Sequence, residues 1–233
     1  MKILAIDTSA KAASAAVTDG GKILSECFTN TGLTHSQTLM PMVKTVLDGA
    51  GIKLDSIDLI AVNNGPGSFT GVRIGVAAVK GMAQPTGKAC AEVSTLESLA
   101  YNLIGIDCTA VSAMDARCGQ VYTAAFSCGE TVERLSGDEA VAISDMEEKL
   151  KSFEKPIIFV GDGAELCYNY YKDKVPCSLA SELLRYQRAS STALAAYLKA
   201  KKGETVSCEK LMPLYLRLPQ AERELKKKKG ELT

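Results

Sequence analysis

The chain has 233 residues, 46% of them hydrophobic and 23% charged, so it can bury a sizeable core and is not disordered. Lysine plus arginine equals aspartate plus glutamate, at 27 each, which leaves no global field toward nucleic acid or an anionic membrane. Asp7 interrupts the N-terminal apolar run too early for a signal peptide, and no apolar stretch reaches the length of a membrane span, so a cytosolic protein is expected.

Lys2–Thr8 reads as a buried strand, Ser14–Thr18 as a second and Ile23–Thr29 as a third, with Asp19-Gly20-Gly21 supplying a tight turn. A helix opens at Thr34 or Ser36. Leu39, Val43, Val46, Leu47 and Ala50 share one face, and Met40 and Met42 lie off it as further apolar positions. Pro41 sits in its first turn or kinks it, and Gly49 and Gly51 end it. Ile57–Val62 is a strand, followed by the loop Asn63-Asn64-Gly65-Pro66-Gly67-Ser68-Phe69-Thr70 and a helix to Met82. Cys90–Val93 is a strand, and Ser94 with Glu97 forms a capping box for a helix to about Leu103.

The order then restarts. Cys108–Ala113 is a strand ending at Asp115, with strands at Gln120–Ser127 and Thr131–Leu135. Asp145–Phe153 is helical, Pro156–Val160 is a strand ending in Gly161-Asp162-Gly163, and Ala164–Tyr171 and Ser191–Lys201 are helices. The pattern is three strands, helix, strand, helix, given twice, and each half opens on a strand that delivers an aspartate, Asp7 or Asp115. The division falls near Gly105, giving an N-terminal half over residues 1–104, a C-terminal half over 105–210 and a tail over 211–233 that is a candidate to return to the first half.

Several segments read two ways. The loop Gly65–Gly71 has the place of a phosphate cradle, but it misses G-x-G-x-x-G at Thr70 and a Walker A ending at Gly71-Val72-Arg73, so it reads equally as a structural turn. Gly71 and Gly75 lie on one helical face with Ala78 and Met82, which suits either a close partner helix or the protein's own sheet. Asp7 and Asp115 suit a metal–nucleotide or a turn cap. Gly161-Asp162-Gly163-Ala164 admits an adenosine moiety or is a turn, and Lys226–Lys229 is an RNA contact or a solvated helix end. The eight cysteines lack C-x-x-C spacing and are expected to be reduced and half-buried, with no metal site. His35 is the only histidine and has no fixed acidic partner in the sequence, and no G-x-S-x-G elbow exists, so nucleophilic catalysis lacks support.

Duplicated halves led by aspartate turns resemble the actin, sugar kinase and Hsp70 superfamily. Within it the chain resembles the bacterial TsaB (YeaZ) family of tRNA threonylcarbamoyladenosine synthesis. The matching segments are Ile6-Asp7-Thr8-Ser9, His35-Ser36 with Leu39 and Pro41, Asn64–Gly75, Val93-Ser94-Thr95-Leu96-Glu97, Met114-Asp115-Ala116-Arg117 with Val121-Tyr122, and Pro213-Leu214-Tyr215-Leu216-Arg217. The resemblance implies an α/β fold of two actin-like, ribonuclease H-like halves with mixed sheets, the second truncated. In the family's catalytic paralogue, TsaD, an H-x-x-x-H site binds metal, and Thr95 and Leu99 stand at those positions here.

The implied role is a non-catalytic scaffold subunit that pairs with TsaD-like and TsaE-like proteins and reaches tRNA through the complex. Alone, it would form a homodimer. No membrane, metal or cofactor is implied, and any ATP would be bound by or shared with the partners. The expected partner interface is Met40, Val43, Val46, Leu47, Gly71, Arg73, Gly75 and Met82. Asp7, Thr8, Ser9, Asp115, Gly161 and Gly163 are candidate vestigial nucleotide contacts. The alternatives are a free-standing ATP-dependent phosphotransferase using Asp7 and Asp115, and a metallopeptidase, against which Thr95 and Leu99 argue.

Overall fold

The computed structural model describes residues 1–217. The Lys226–Lys229 run lies outside them. Two mixed sheets organise the chain, as the repeat predicts. In the first, β1 (Lys2–Asp7), β2 (Ala13–Asp19) and β3 (Lys22–Thr29) form an antiparallel meander, and β4 (Leu59–Gly65) and β5 (Ala89–Ser94) add in parallel on the other side of β1. The order is β3-β2-β1-β4-β5. In the second, β6 (Cys108–Asp115) takes the place of β1, with β7 (Gln120–Cys128), β8 (Val132–Arg134) and β9 (Glu139–Ala142) on one side and β10 (Ile157–Val160) and β11 (Cys177–Leu179) on the other.

Helices cover both faces of each sheet. On the first sheet α1 (His35–Ala50) and α2 (Phe69–Ala83) cover one face. The other face is covered by α7 (Ala189–Lys201), whose Ala189, Ala193, Ala195 and Ala196 pack on Ile3, Ala5 and Ala61. The second sheet carries α3 (Thr95–Tyr101) on one face, and α4 (Glu147–Lys151) and α5 (Ala164–Tyr171) on the other. The short α6 (Glu182–Arg185) precedes α7. The last helix of each half therefore lies between the sheets: α3 packs on β6 and β7, and α7 on β1 and β2. A buried hydrogen bond between Ser98 and Thr192, 2.9 Å long, joins these two helices.

Local chemistry explains most boundaries. Ser94 caps α3 by accepting from the Glu97 N–H, as the capping box predicts. Ser68 caps α2 by accepting from the Gly71 N–H at 3.2 Å. Gly51 ends α1 in the left-handed conformation at φ 65°, whereas Gly49 stays inside the helix. Pro41 lies in the helix interior rather than its first turn, and α1 runs through it. Met42 corrects the reading of α1. It is buried with Leu39, Val43 and Val46 against the first sheet, and only Met40 of the two methionines is exposed. Each such burial contributes about 1.5–3 kcal/mol.

Candidate functional site

The two aspartate turns face each other across a cleft of about 430 Å³, lined by Ser9, Lys11, Ser68, Asp115, Arg117 and Asp162 among others. Asp7 itself is fully buried at the end of β1. Its Oδ1 accepts from the Ser9 N–H and hydroxyl, both at 2.7 Å, and its Oδ2 accepts from the Asn63 amide. Burial pushes its carboxyl above the usual carboxylate range, against the pull of Ser9 and Asn63. Asp115 repeats the turn: Oδ1 accepts from the Arg117 N–H at 2.7 Å, and the Arg117 guanidinium lies 3.3 Å from Oδ2. Arg117 and Cys118 hold left-handed backbone, φ 66° and 56°, which keeps this turn tight. Asp162 is the third carboxylate. Burial pushes it up to about 6, and Gln187 donates to its Oδ1 at 3.3 Å.

The glycines around the cleft are filled from within. A Cβ on Gly161 would lie 2.1 Å from the Ala113 carbonyl oxygen, and one on Gly163 would lie 2.7 Å from the Met114 carbonyl carbon. These residues pack β10 and its turn onto β6, so of the sequence-predicted nucleotide contacts they hold backbone rather than an open cradle. Gly67 packs equally closely on Ser9, whose carbonyl accepts from the Ser68 N–H at 2.6 Å. Thr8 is buried and donates to the Gly71 carbonyl at 2.7 Å.

The expected interface residues divide. Gly71 and Gly75 face inward, where a Cβ would lie 2.0 Å from the Thr8 carbonyl oxygen and 2.6 Å from its hydroxyl. Val43, Val46 and Met82 are buried in the first core, and Leu47 is half-buried against it. Val43, Val46 and Met82 therefore present little surface of their own, and Leu47 keeps part of its side chain uncovered. Met40 and Arg73 are exposed. The outward face of α2 carries Ala77 and Gly81 instead, and nothing lies within 4 Å of a Cβ at Gly81.

The start of the tail, a candidate in the sequence to return to the first half, lies along that half in its described part and completes the cleft. Leu211–Arg217 runs along the first half: the Leu214 N–H donates to the Asn64 carbonyl at 2.7 Å and the Met212 N–H to Glu92 at 2.8 Å. Tyr215 packs at a tilt on Phe69 with ring centroids 4.8 Å apart, and Arg73 donates to its hydroxyl at 2.7 Å while lying 3.7 Å above Phe69. Arg217 then crosses to the second half and donates to the Ala116 carbonyl at 2.7 Å. The contacts of Tyr215 and Arg217 were not legible locally, because their partners lie more than a hundred residues away.

Among the described residues no group of three His, Cys, Asp or Glu is placed to hold a metal ion. Thr95 and Leu99 are fully buried, Leu99 in the second core. No helix among the described residues is long and apolar enough to cross a membrane.

Comparison with known proteins bears on this arrangement. The family model for TsaD, tRNA N6-adenosine threonylcarbamoyltransferase, matches residues 28–225. The tRNA threonylcarbamoyladenosine biosynthesis protein TsaB of Bacillus subtilis is 32% identical over 225 residues, covering 95% of this chain and 96% of the relative. The Escherichia coli protein of the same name is 32% identical over 222 residues, 93% of this chain and 95% of its own. Among solved structures, YeaZ from Pseudomonas aeruginosa superposes with a TM-score of 0.78 at 28% identity, covering 92% of this chain and 99% of its own. Another Pseudomonas aeruginosa structure, of a protein described as having similarity to the peptidase YeaZ, gives 0.79 at 29% identity, with 93% and 99% covered. Component A of the Acidaminococcus fermentans (R)-2-hydroxyglutaryl-CoA dehydratase, at 13% identity and a TM-score of 0.50, shares the fold alone. The chain therefore belongs to the TsaB (YeaZ) family.

Proposed function

We propose that this chain is a cytoplasmic, non-catalytic scaffold subunit of the machinery that transfers threonylcarbamoyl to the adenosine beside the tRNA anticodon, and that it pairs with TsaD-like and TsaE-like proteins. The observation that carries the proposal is the state of the two leading carboxylates. Both oxygens of Asp7 are engaged by Ser9 and Asn63, and Asp115 is engaged by its own turn and by Arg117. A phosphotransferase of this architecture needs those groups to be free for a metal–nucleotide. Here they set turns, which speaks against the phosphotransferase reading. Any ATP would then sit on, or be shared with, a partner.

The partner face in this reading is the outward side of α1 and α2. Met40 offers apolar area, Arg73 a cation and Ala77 with Gly81 the close approach. The same face serves a homodimer when the chain is alone. The halves at 1–104 and 105–210 act in the proposal as two bodies tied by α3, α7 and the tail. Co-purification with a TsaD-like protein tests the reading: Ala77→Arg and Gly81→Arg variants that keep the wild-type Tm should lose the partner. Retention at native affinity would sink the assignment of this face.

A further inference from the structure

No cysteine spacing in the sequence announces a pair, yet the second sheet brings two together. Cys108, the first residue of β6, stands directly opposite Cys128, the last of β7. Opposed residues of an antiparallel pair have Cα atoms about 4.5 or 5.5 Å apart, and both values fall within the roughly 4.4–6.8 Å that a disulfide spans. Side chains of such a pair leave the sheet on the same face. Here that face is packed against α3, and each cysteine is 1% exposed. The two thiols stand on directly opposed residues, and both are free. The Cys128 thiol also points at the Ala100 carbonyl of α3, 3.6 Å away. The pair closes the open end of the hairpin beside exposed Asp107, where fraying of strand ends admits small reagents.

We propose that Cys108 and Cys128 form a reversible cross-strand disulfide, with a small hydroperoxide as oxidant. The Cys108 thiolate attacks a peroxide oxygen and the O–O bond breaks. With hydrogen peroxide, hydroxide leaves and takes up the proton Cys108 released, giving the first water and a sulfenic acid on Cys108. The Cys128 sulfur displaces that hydroxyl, which leaves with the Cys128 proton as the second water while the S–S bond forms. Two thiols lose two electrons and two protons in all, and the peroxide accepts them. Cys108 is the attacking sulfur because it opens β6 beside exposed Asp107, and the nearby Cys128 thiol holds its pKa below the usual thiol value. The bond closes the loop that carries the Asp115–Arg117 turn, so it stiffens the hairpin that forms one wall of the cleft.

The test is a peptide map of the full-length wild-type chain, exposed to hydrogen peroxide while folded, then denatured and blocked with N-ethylmaleimide. The expected product is a peptide linking Cys108 to Cys128, lighter than its parts by two hydrogens and split by dithiothreitol. The oxidised chain should also melt roughly 5–10 °C higher, reversibly, and a Cys128→Ser variant should show no such rise. Recovery of Cys108 and Cys128 as maleimide adducts in a chain whose exposed Cys118 has reacted would overturn the proposal. So would linkage of Cys108 to a different cysteine. The wild-type map stands whether or not the variant folds.

Discussion

Replacing Gly71 and Gly81 by alanine, one at a time, asks which side of α2 faces the protein. The two residues share a helix and a substitution but not an environment. At Gly71 the new Cβ would lie 2.0 Å from the Thr8 carbonyl oxygen and 3.2 Å from its carbon. These are backbone atoms and cannot swing aside, so the end of β1 and the start of α2 must separate. Overpacking of this kind costs about 1–3 kcal/mol. Straining the buried bond from Thr8 to the Gly71 carbonyl costs about 0.5–1.5 kcal/mol more. Helix propensity returns about 1 kcal/mol, which leaves a net loss of roughly 0.5–3.5 kcal/mol, centred near 2, and a Tm lower by roughly 4–8 °C at that centre. At Gly81 nothing lies within 4 Å, only the propensity gain remains, and the Tm should rise by roughly 2–4 °C. Urea titrations beside thermal melts would measure both. A Gly71→Ala chain as stable as the wild type would refute the inward placement of that face and restore Gly71 to the partner surface.

Other outcomes follow from single contacts. Glu26 on β3 accepts from Arg188 at 2.5 Å and from the Ser190 N–H and hydroxyl at the start of α7, so Glu26→Ala should cost about 2–3 kcal/mol in urea unfolding. Ser94→Ala removes the cap of α3 and a 2.6 Å bond to Asp138, and should lower stability by about 1–2 kcal/mol. Asp162 gives a pH signature. Its carboxyl is raised from 3.8 to about 6, so between those values the folded chain holds a proton that the unfolded chain has lost, and stability falls as pH rises through that window. Asp162→Asn cannot ionise, so its advantage over the wild type should grow from near zero at about pH 4 to about 1–3 kcal/mol at about pH 7. A flat difference would show that Asp162 is solvated.

Much of the fold was legible because its signals are local. A continuous apolar run marked β1, the Asp19-Gly20-Gly21 turn marked the hairpin of β2 and β3, and the Ser94–Glu97 box marked α3. The strands β9 and β11 and the helix α6 span only three or four residues each, too few for a periodicity to show. The facing of the expected interface residues was not legible for another reason. The helix α2 has small residues on both sides, Gly71 and Gly75 on one and Ala77 and Gly81 on the other, and spacing alone does not say which side meets the sheet. Likewise, the facing of Cys108 and Cys128 exists only in the strand register, and the hold of Leu211–Arg217 on the cleft only in tertiary packing.

The most direct test of the account is a reconstituted threonylcarbamoyl transfer on tRNA, run with the TsaD-like and TsaE-like partners and either no added chain, this chain, its Asp115→Asn variant or its Ala77→Arg variant. The account predicts modification that needs this chain, survives Asp115→Asn and is lost with Ala77→Arg. Full modification without the chain, or its loss with Asp115→Asn in a variant that still binds the partner, would contradict it.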